Sequence, residues 1–250
     1  MKRLAHYSQY FLRNPALIKE LVGHTAIKRG DLVYDIGAGS GVITSVLASR
    51  CRQVIAIEAE PRMAAKLRAN MDAYPNVTVR EGDFLTLSLP EEPYKVFANI
   101  PFHLSSPIVH RLTETDYPPQ AIYLVVQKQF ANKLLPDSDQ FTGQLGMTLG
   151  PLFTARIRKR LKRTDFWPHP NVDTVFLELI KRGQPLIATP DMPSYRRFVA
   201  DCFSDPKIFA KVPVESVGLG RDIRPSQMRL AHWVALFSLM QKSLIGRQIS

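Results

Sequence analysis

The chain has 250 residues, 45% of them hydrophobic, enough to bury the core of one large domain or of a domain with a small companion. Lys and Arg outnumber Asp and Glu 33 to 22, a net charge of +11, which points to a polyanionic partner, nucleic acid ahead of membrane because no lipid-seeking helix is evident. Two cysteines, Cys51 and Cys202, exclude a disulfide framework and a thiolate cluster, the six histidines lack metal-site spacing, and no apolar run nears the roughly 18 residues of a membrane span. The opening M-K-R-L-A-H-Y-S-Q-Y has no apolar signal core, so the cytoplasm is the expected location.

From Leu32 to Ile180 short apolar runs alternate with helical segments. Leu32–Ile36 reads as a strand, followed by a glycine turn and a helix over Gly41–Arg50. Gln53–Glu58 is a strand and Pro61–Ala73 a helix, with Pro61 at the first turn where its missing N–H costs nothing. Val77–Arg80, Tyr94–Ala98 and Ala121–Gln127 are further strands, the last followed by a helix over Lys128–Leu135. F-T-A-R-I-R-K-R-L-K-R and V-D-T-V-F-L-E-L-I read as a closing pair. Alternating strands and helices predict an α/β fold with a mostly parallel sheet and helices on both faces. After Arg182 a Pro-rich stretch leads into helical text, Ser194–Phe203 and Ser226–Leu244. There Met228, Leu230, Trp233, Leu236, Phe237 and Met240 approximate one apolar helix face. Two domains are expected, residues 1–182 and 183–250, the second small and all-helical.

D-I-G-A-G-S-G follows the first strand and opens a helix, so its glycines allow close approach of a ligand. Alone such a turn serves several nucleotide cofactors. Its context adds acids: Asp35 before the glycines, Glu58 ending the next strand, and Asp83 in E-G-D-F-L after the third. Glu58 is placed to accept both hydroxyls of a ribose, and Asp83 the amino group of an adenine with Phe84 packed on the base. S-adenosylmethionine, an adenosine with a positive sulfonium, suits a carboxylate-rich site better than a dinucleotide pyrophosphate does.

A-N-I-P-F-H-L ends the fourth strand on the same edge of the sheet. The exocyclic N6 of adenine is a poor nucleophile, its lone pair delocalised into the ring. The Asn99 side-chain oxygen and a nearby main-chain carbonyl can each accept one N6–H, favouring a pyramidal nitrogen aimed at a methyl group. Pro101 stiffens the turn, and Phe102 offers a face to a base that has left its stack.

Together S-Q-Y-F-L, D-I-G-A-G-S-G, I-E-A-E, G-D-F-L, A-N-I-P-F-H-L-S-S-P-I and F-W-P-H-P-N-V-D-T-V resemble the ribosomal RNA adenine N6-methyltransferases, over Ser8 to Phe237. That family includes the Erm macrolide-resistance enzymes and the KsgA small-subunit dimethyltransferases. The resemblance implies a Rossmann-like domain dependent on S-adenosylmethionine, with a helical C-terminal domain that recognises RNA. It implies that Gln9, Tyr10 and Leu12 cover the cofactor and that Gly37, with Ala38 and Gly39, lies against its methionine portion. Glu58 would bind the ribose and Asp83 and Phe84 meet the adenine, Ala59 would line the cofactor site, and Asn99 would contact the cofactor and be catalytic with Ile100, Pro101 and Phe102. Tyr10 stands where the family normally has Asn.

R-I-R-K-R-L-K-R supplies Arg156, Arg158, Lys159, Arg160, Lys162 and Arg163, a phosphate-contacting surface or a charge-protected edge strand. The ending R-P-S-Q-M-R-L-A-H-W-V-A-L-F is more similar to the Erm type, implying one adenine of the 23S peptidyl-transferase loop as target and resistance to macrolides, lincosamides and streptogramin B. The KsgA alternative implies adjacent adenines near the 3′ end of 16S rRNA. A nicotinamide oxidoreductase would leave Asn99–Phe102 unexplained, and a non-catalytic RNA-binding relative would not need them. Nothing demands more than a monomer.

Overall fold

The computed structural model describes residues 10–12, 14–136 and 141–248. The chain forms two compact units, one of residues up to Ala131 with Arg156–Ile180, the other of Asn132–Ala155 with the residues from Lys181 onward.

The elements run β1 (Phe11–Leu12), α1 (Pro15–Gly23), β2 (Leu32–Ile36), α2 (Val42–Ala48), β3 (Gln53–Glu58), α3 (Pro61–Met71), β4 (Val77–Glu81), β5 (Lys95–Asn99), α4 (Ser105–Thr113) and β6 (Ala121–Gln127). They continue α5 (Lys128–Leu134), α6 (Gln144–Leu149), β7 (Phe153–Leu161), β8 (Phe166–Trp167), β9 (Thr174–Lys181), α7 (Met192–Ser204), α8 (Pro206–Phe209) and α9 (Leu230–Gln248). Seven strands form one sheet in the order β4-β3-β2-β5-β6-β9-β7. The pairings β3–β4, β2–β3, β2–β5 and β5–β6 are parallel and β6–β9 is antiparallel. The strand order reverses at β2, and ligands of such sheets bind outside the carboxyl ends of the strands at that point.

Burial explains the central strands. All five residues of β2 are buried, as are the first six of β6, the continuous pattern of a strand covered on both faces. Phe97, Tyr123 and Phe176, on neighbouring β5, β6 and β9, bring their ring centroids within 5.4 to 6.4 Å of one another. The Asn14 side chain caps α1 by accepting from Ala16 N–H at 2.9 Å, with Pro15 in its first turn. Leu17, Ile18, Leu21 and Val22 of that helix are buried. A short ribbon, absent from the expected elements, pairs β1 with β8: Phe11 opposes Trp167 and Leu12 opposes Phe166. Leu12 and Phe166 are buried, whereas Phe11 and Trp167 face outward, 38% and 52% exposed.

In the second unit Trp233 is fully buried, with the rings of Phe198, Phe203 and Phe209 at 5.7, 5.6 and 6.2 Å. Residues 132–155, assigned from sequence to the first domain, group with this unit. Thr142 Oγ1 donates to the Met228 carbonyl at 2.9 Å, and Tyr195 OH to the Met147 carbonyl at 3.0 Å. Gly146 lets α6 lie against the Lys133 carbonyl, which a Cβ would approach to 2.5 Å. The final helix starts at Leu230, four residues later than expected, after a 3-10 turn over Pro225–Gln227. No helix among the described residues is long and apolar enough to cross a membrane, and no group of three candidate metal ligands occurs among them.

Candidate active site

Gly37, Gly39 and Gly41 have φ of 72°, 57° and 91°, the left-handed region that a side chain disfavours. The turn is tied to β3 by main-chain bonds: Gly37 and Ala38 N–H both donate to the Ile57 carbonyl at 2.9 Å. Glu58, the last residue of β3, is 4% exposed. Its Oε2 accepts from Gly39 N–H at 2.8 Å and its Oε1 from Glu60 N–H at 3.0 Å. A carboxylate offers about four lone-pair sites, so one on each oxygen remains for a vicinal diol.

Asn99 ends β5, on the other side of β2 from Glu58. Its Nδ2 donates to the Tyr10 main-chain carbonyl at 2.6 Å, which orients the amide and leaves Oδ1 as an acceptor. The β1–β8 ribbon and buried Leu12 hold that carbonyl in place. The Tyr10 and Phe102 rings lie 5.2 Å apart, tilted by 32°.

A cavity of about 270 Å³ connects these parts. Tyr10, Leu12, Gly37, Ala38, Glu58, Asn99, Ile100 and Pro101, all singled out from sequence, line it. Gly39 acts on it through Glu58, and Phe102 stands beside Tyr10. Of the remaining candidates, Ala59, Asp83 and Phe84 lie off its wall. Ala59 is exposed, and exposed Asp83 accepts from Leu85 N–H at 2.9 Å. Phe84 is buried, with the Arg111 guanidinium 5.9 Å from its ring centroid. Gln9 lies outside the described residues. The wall also holds Phe11, Ser40, Val42, Ile43, Met63 and Lys66, which sequence reading did not single out. Met63 and Lys66 are three apart on α3, directly after Glu58, a spacing that shares one helix face.

Beneath the glycine turn Asp35 is fully buried. Thr44 Oγ1 donates to its Oδ2 at 2.7 Å, while Oδ1 has no hydrogen-bond partner among the described residues. Burial pushes the Asp35 carboxyl up to about 7, with nearby Glu58 adding to the rise and the Thr44 hydroxyl opposing it.

The basic run falls on β7, an edge of the sheet, and just beyond it. Arg156 is ion-paired with buried Glu178. Arg158 approaches the same carboxylate at 3.9 Å and donates to the His24 carbonyl at 3.1 Å. Lys159 pairs with Glu20, and Arg163 lies 3.7 Å from Asp173. Arg160 and Lys162 are exposed and form no ion pair among the described residues.

This sheet order, with a glycine turn after β2, an anchored carboxylate on β3 and an oriented amide on β5, defines a Rossmann-type methyltransferase. The chain belongs to the ribosomal RNA adenine dimethylase family, whose sequence model matches residues 2–207. An rRNA adenine N-6-methyltransferase of Saccharopolyspora erythraea is 30% identical over 94% of this chain, and the chain spans 65% of that relative's length. A ribosomal RNA small subunit methyltransferase A of Streptococcus agalactiae is 30% identical over 74% of this chain and 67% of its own. The solved 23S rRNA methyltransferase ErmE superposes with a TM-score of 0.80 at 29% identity, covering 91% of this chain and 98% of that one.

S-adenosylmethionine is the cofactor of this class, and the residues present fit it. Glu58 keeps acceptors that a ribose could use, the glycine turn leaves main-chain room, and 270 Å³ lies just below the roughly 300–1,000 Å³ typical of small-molecule sites. Glu58→Ala is expected to weaken binding of S-adenosylhomocysteine by about 10- to 100-fold, the value of one or two charge-assisted hydrogen bonds. Calorimetric titration would show it; an affinity within twofold of wild type would remove the ribose assignment.

Proposed function

We propose that the chain methylates N6 of an adenine in 23S rRNA, at the peptidyl-transferase loop, as the Erm enzymes do. The orientation of Asn99 carries the reading: with Nδ2 engaged by Tyr10, Oδ1 is held as an acceptor at the cavity. Oδ1 accepts one N6–H of the target and a main-chain carbonyl of the Asn99–Pro101 turn accepts the other. Both contacts strengthen as N6 gains positive character, so they favour the transition state over the bound substrate. The bound cofactor supplies an electrophilic methyl on its sulfonium. Phe102 and Tyr10 offer ring surface to the extruded base, offsetting part of its unstacking cost.

Preference for 23S rests on the Erm-like ending at Arg224–Phe237. The test offers unmodified 23S and 16S rRNA separately with radiolabelled S-adenosylmethionine and maps the labelled base. Label in the 23S peptidyl-transferase loop supports the proposal and predicts macrolide resistance on expression. Label near the 3′ end of 16S overturns it in favour of the small-subunit reading. The working form is proposed to be a cytoplasmic monomer, its location following from a ribosomal RNA substrate.

The RNA backbone is assigned to Arg160, Lys162 and their basic neighbours. Arg160→Ala with Lys162→Ala is expected to weaken rRNA binding and lower the slope of log K against log salt by roughly 1.5 to 2. Both side chains are exposed and outside the ion pairs of β7, so the fold is spared. An unchanged slope would place the phosphate surface elsewhere.

A further inference from the structure

We propose that Trp167, with Phe11 beside it, is the stacking platform for a nucleotide flanking the methylated adenine. The inference rests on the reading of the substrate as RNA. Directly opposed residues of an antiparallel pair share a face, with Cβ atoms about 4.5–5.5 Å apart. The Phe11–Trp167 pair is such a pair, and its face points outward while Leu12 and Phe166 fill the core behind it. Two aromatic residues 38% and 52% exposed therefore lie on one side of a two-residue ribbon, with the Phe11 ring against the glycine turn at Gly39.

The ribbon is continuous with the site. Phe11 lines the cavity and directly follows Tyr10, whose carbonyl holds Asn99. The platform thus begins one residue along and one strand across from the catalytic amide, beside the Tyr10–Phe102 rings assigned to the target base. The His169 ring lies against the indole at 5.8 Å and 81°, with its Nδ1 3.0 Å from the Arg163 carbonyl, which braces the tryptophan. Exposed Lys162 and Arg163 lie on the chain just before β8. Aromatic faces beside cations are what single-stranded nucleic acid uses for stacking and phosphate contact, whatever the base.

The two tryptophans make this readable by fluorescence, because Trp233 is fully buried and Trp167 is not. The probes are a short single-stranded oligoribonucleotide with one adenosine between pyrimidines, and the same oligomer with abasic riboses on both sides of the adenosine. The first should quench Trp167 emission, and the second should not. Trp167→Ala should bind the first about 10-fold more weakly and the second as wild type does, with Trp167→Phe recovering most of the affinity. Equal affinity of wild type and Trp167→Ala for the first probe, an equal loss on both probes, or no quenching in wild type would each overturn the platform. Methyl transfer to intact rRNA is read separately. Transfer without quenching removes the platform alone, and quenching without transfer removes the adenine-methylation reading alone.

Discussion

Asn99→Ala is expected to slow methyl transfer by about 10²–10³-fold, the range seen when one preorganised transition-state hydrogen bond is lost. Affinity for S-adenosylhomocysteine should stay within a few-fold, because Glu58 and the glycine turn are untouched. Single-turnover transfer under saturating cofactor and RNA isolates the chemical step. Asn99→Asp sharpens the test. It keeps an acceptor for N6–H but loses the donor to the Tyr10 carbonyl, 2.6 Å away, and sets a carboxylate against that oxygen. Its activity should also be low. Near-wild-type turnover in Asn99→Ala would remove the amide from the mechanism.

Asp35→Asn is expected to raise stability at pH 8 by roughly 4 kcal/mol while changing it little near pH 4. The carboxyl rises from its ordinary 3.8 to about 7 because burial disfavours the charge. A group whose folded pKa is raised binds more protons folded than unfolded, so stability falls as pH climbs from about 4 to about 7 and levels off above. At about 1.4 kcal/mol for each tenfold change in proton affinity, that displacement sets the size of the effect. Asparagine keeps an acceptor for Thr44 Oγ1, 2.7 Å away in the wild type, and carries no charge at any pH. Denaturant unfolding of both proteins at pH 4 and pH 8 gives the comparison. Equal pH dependence in the two would show that Asp35 does not titrate in this window.

Period and punctuation made most of the sheet readable. Ala121–Gln127 is a strand at the bounds its apolar run predicts, and Glu58 and Asn99 end β3 and β5, the strand ends expected of them. What escaped the reading depends on contacts distant in sequence. The β1–β8 ribbon joins residues more than 150 positions apart, and two-residue strands leave no periodic trace. Residues 132–155 carry strand and helix text that looked continuous with the first domain; the bonds from Thr142 to Met228 and Tyr195 to Met147 are what assign them to the second. The contact of Arg111, from α4, with the Phe84 ring is likewise invisible in the motif that carries Phe84. The basic run showed its charge but not its partners: buried Glu178 engages two of its arginines, and that pairing is visible only once β7 and β9 are neighbours.

The bond that orients Asn99 uses the main-chain oxygen of residue 10, an atom every amino acid possesses. The identity of the side chain there is therefore decoupled from this support, and tyrosine in place of the family's asparagine leaves it intact. For the support of the amide alone, position 10 tolerates any side chain and position 99 does not, although the two ends of one bond contribute equally to it; the Tyr10 ring matters separately, through its contact with Phe102. The constraint is carried instead by whatever holds the path of the chain, so intolerance should surface at Leu12 and Phe166, whose burial secures the ribbon.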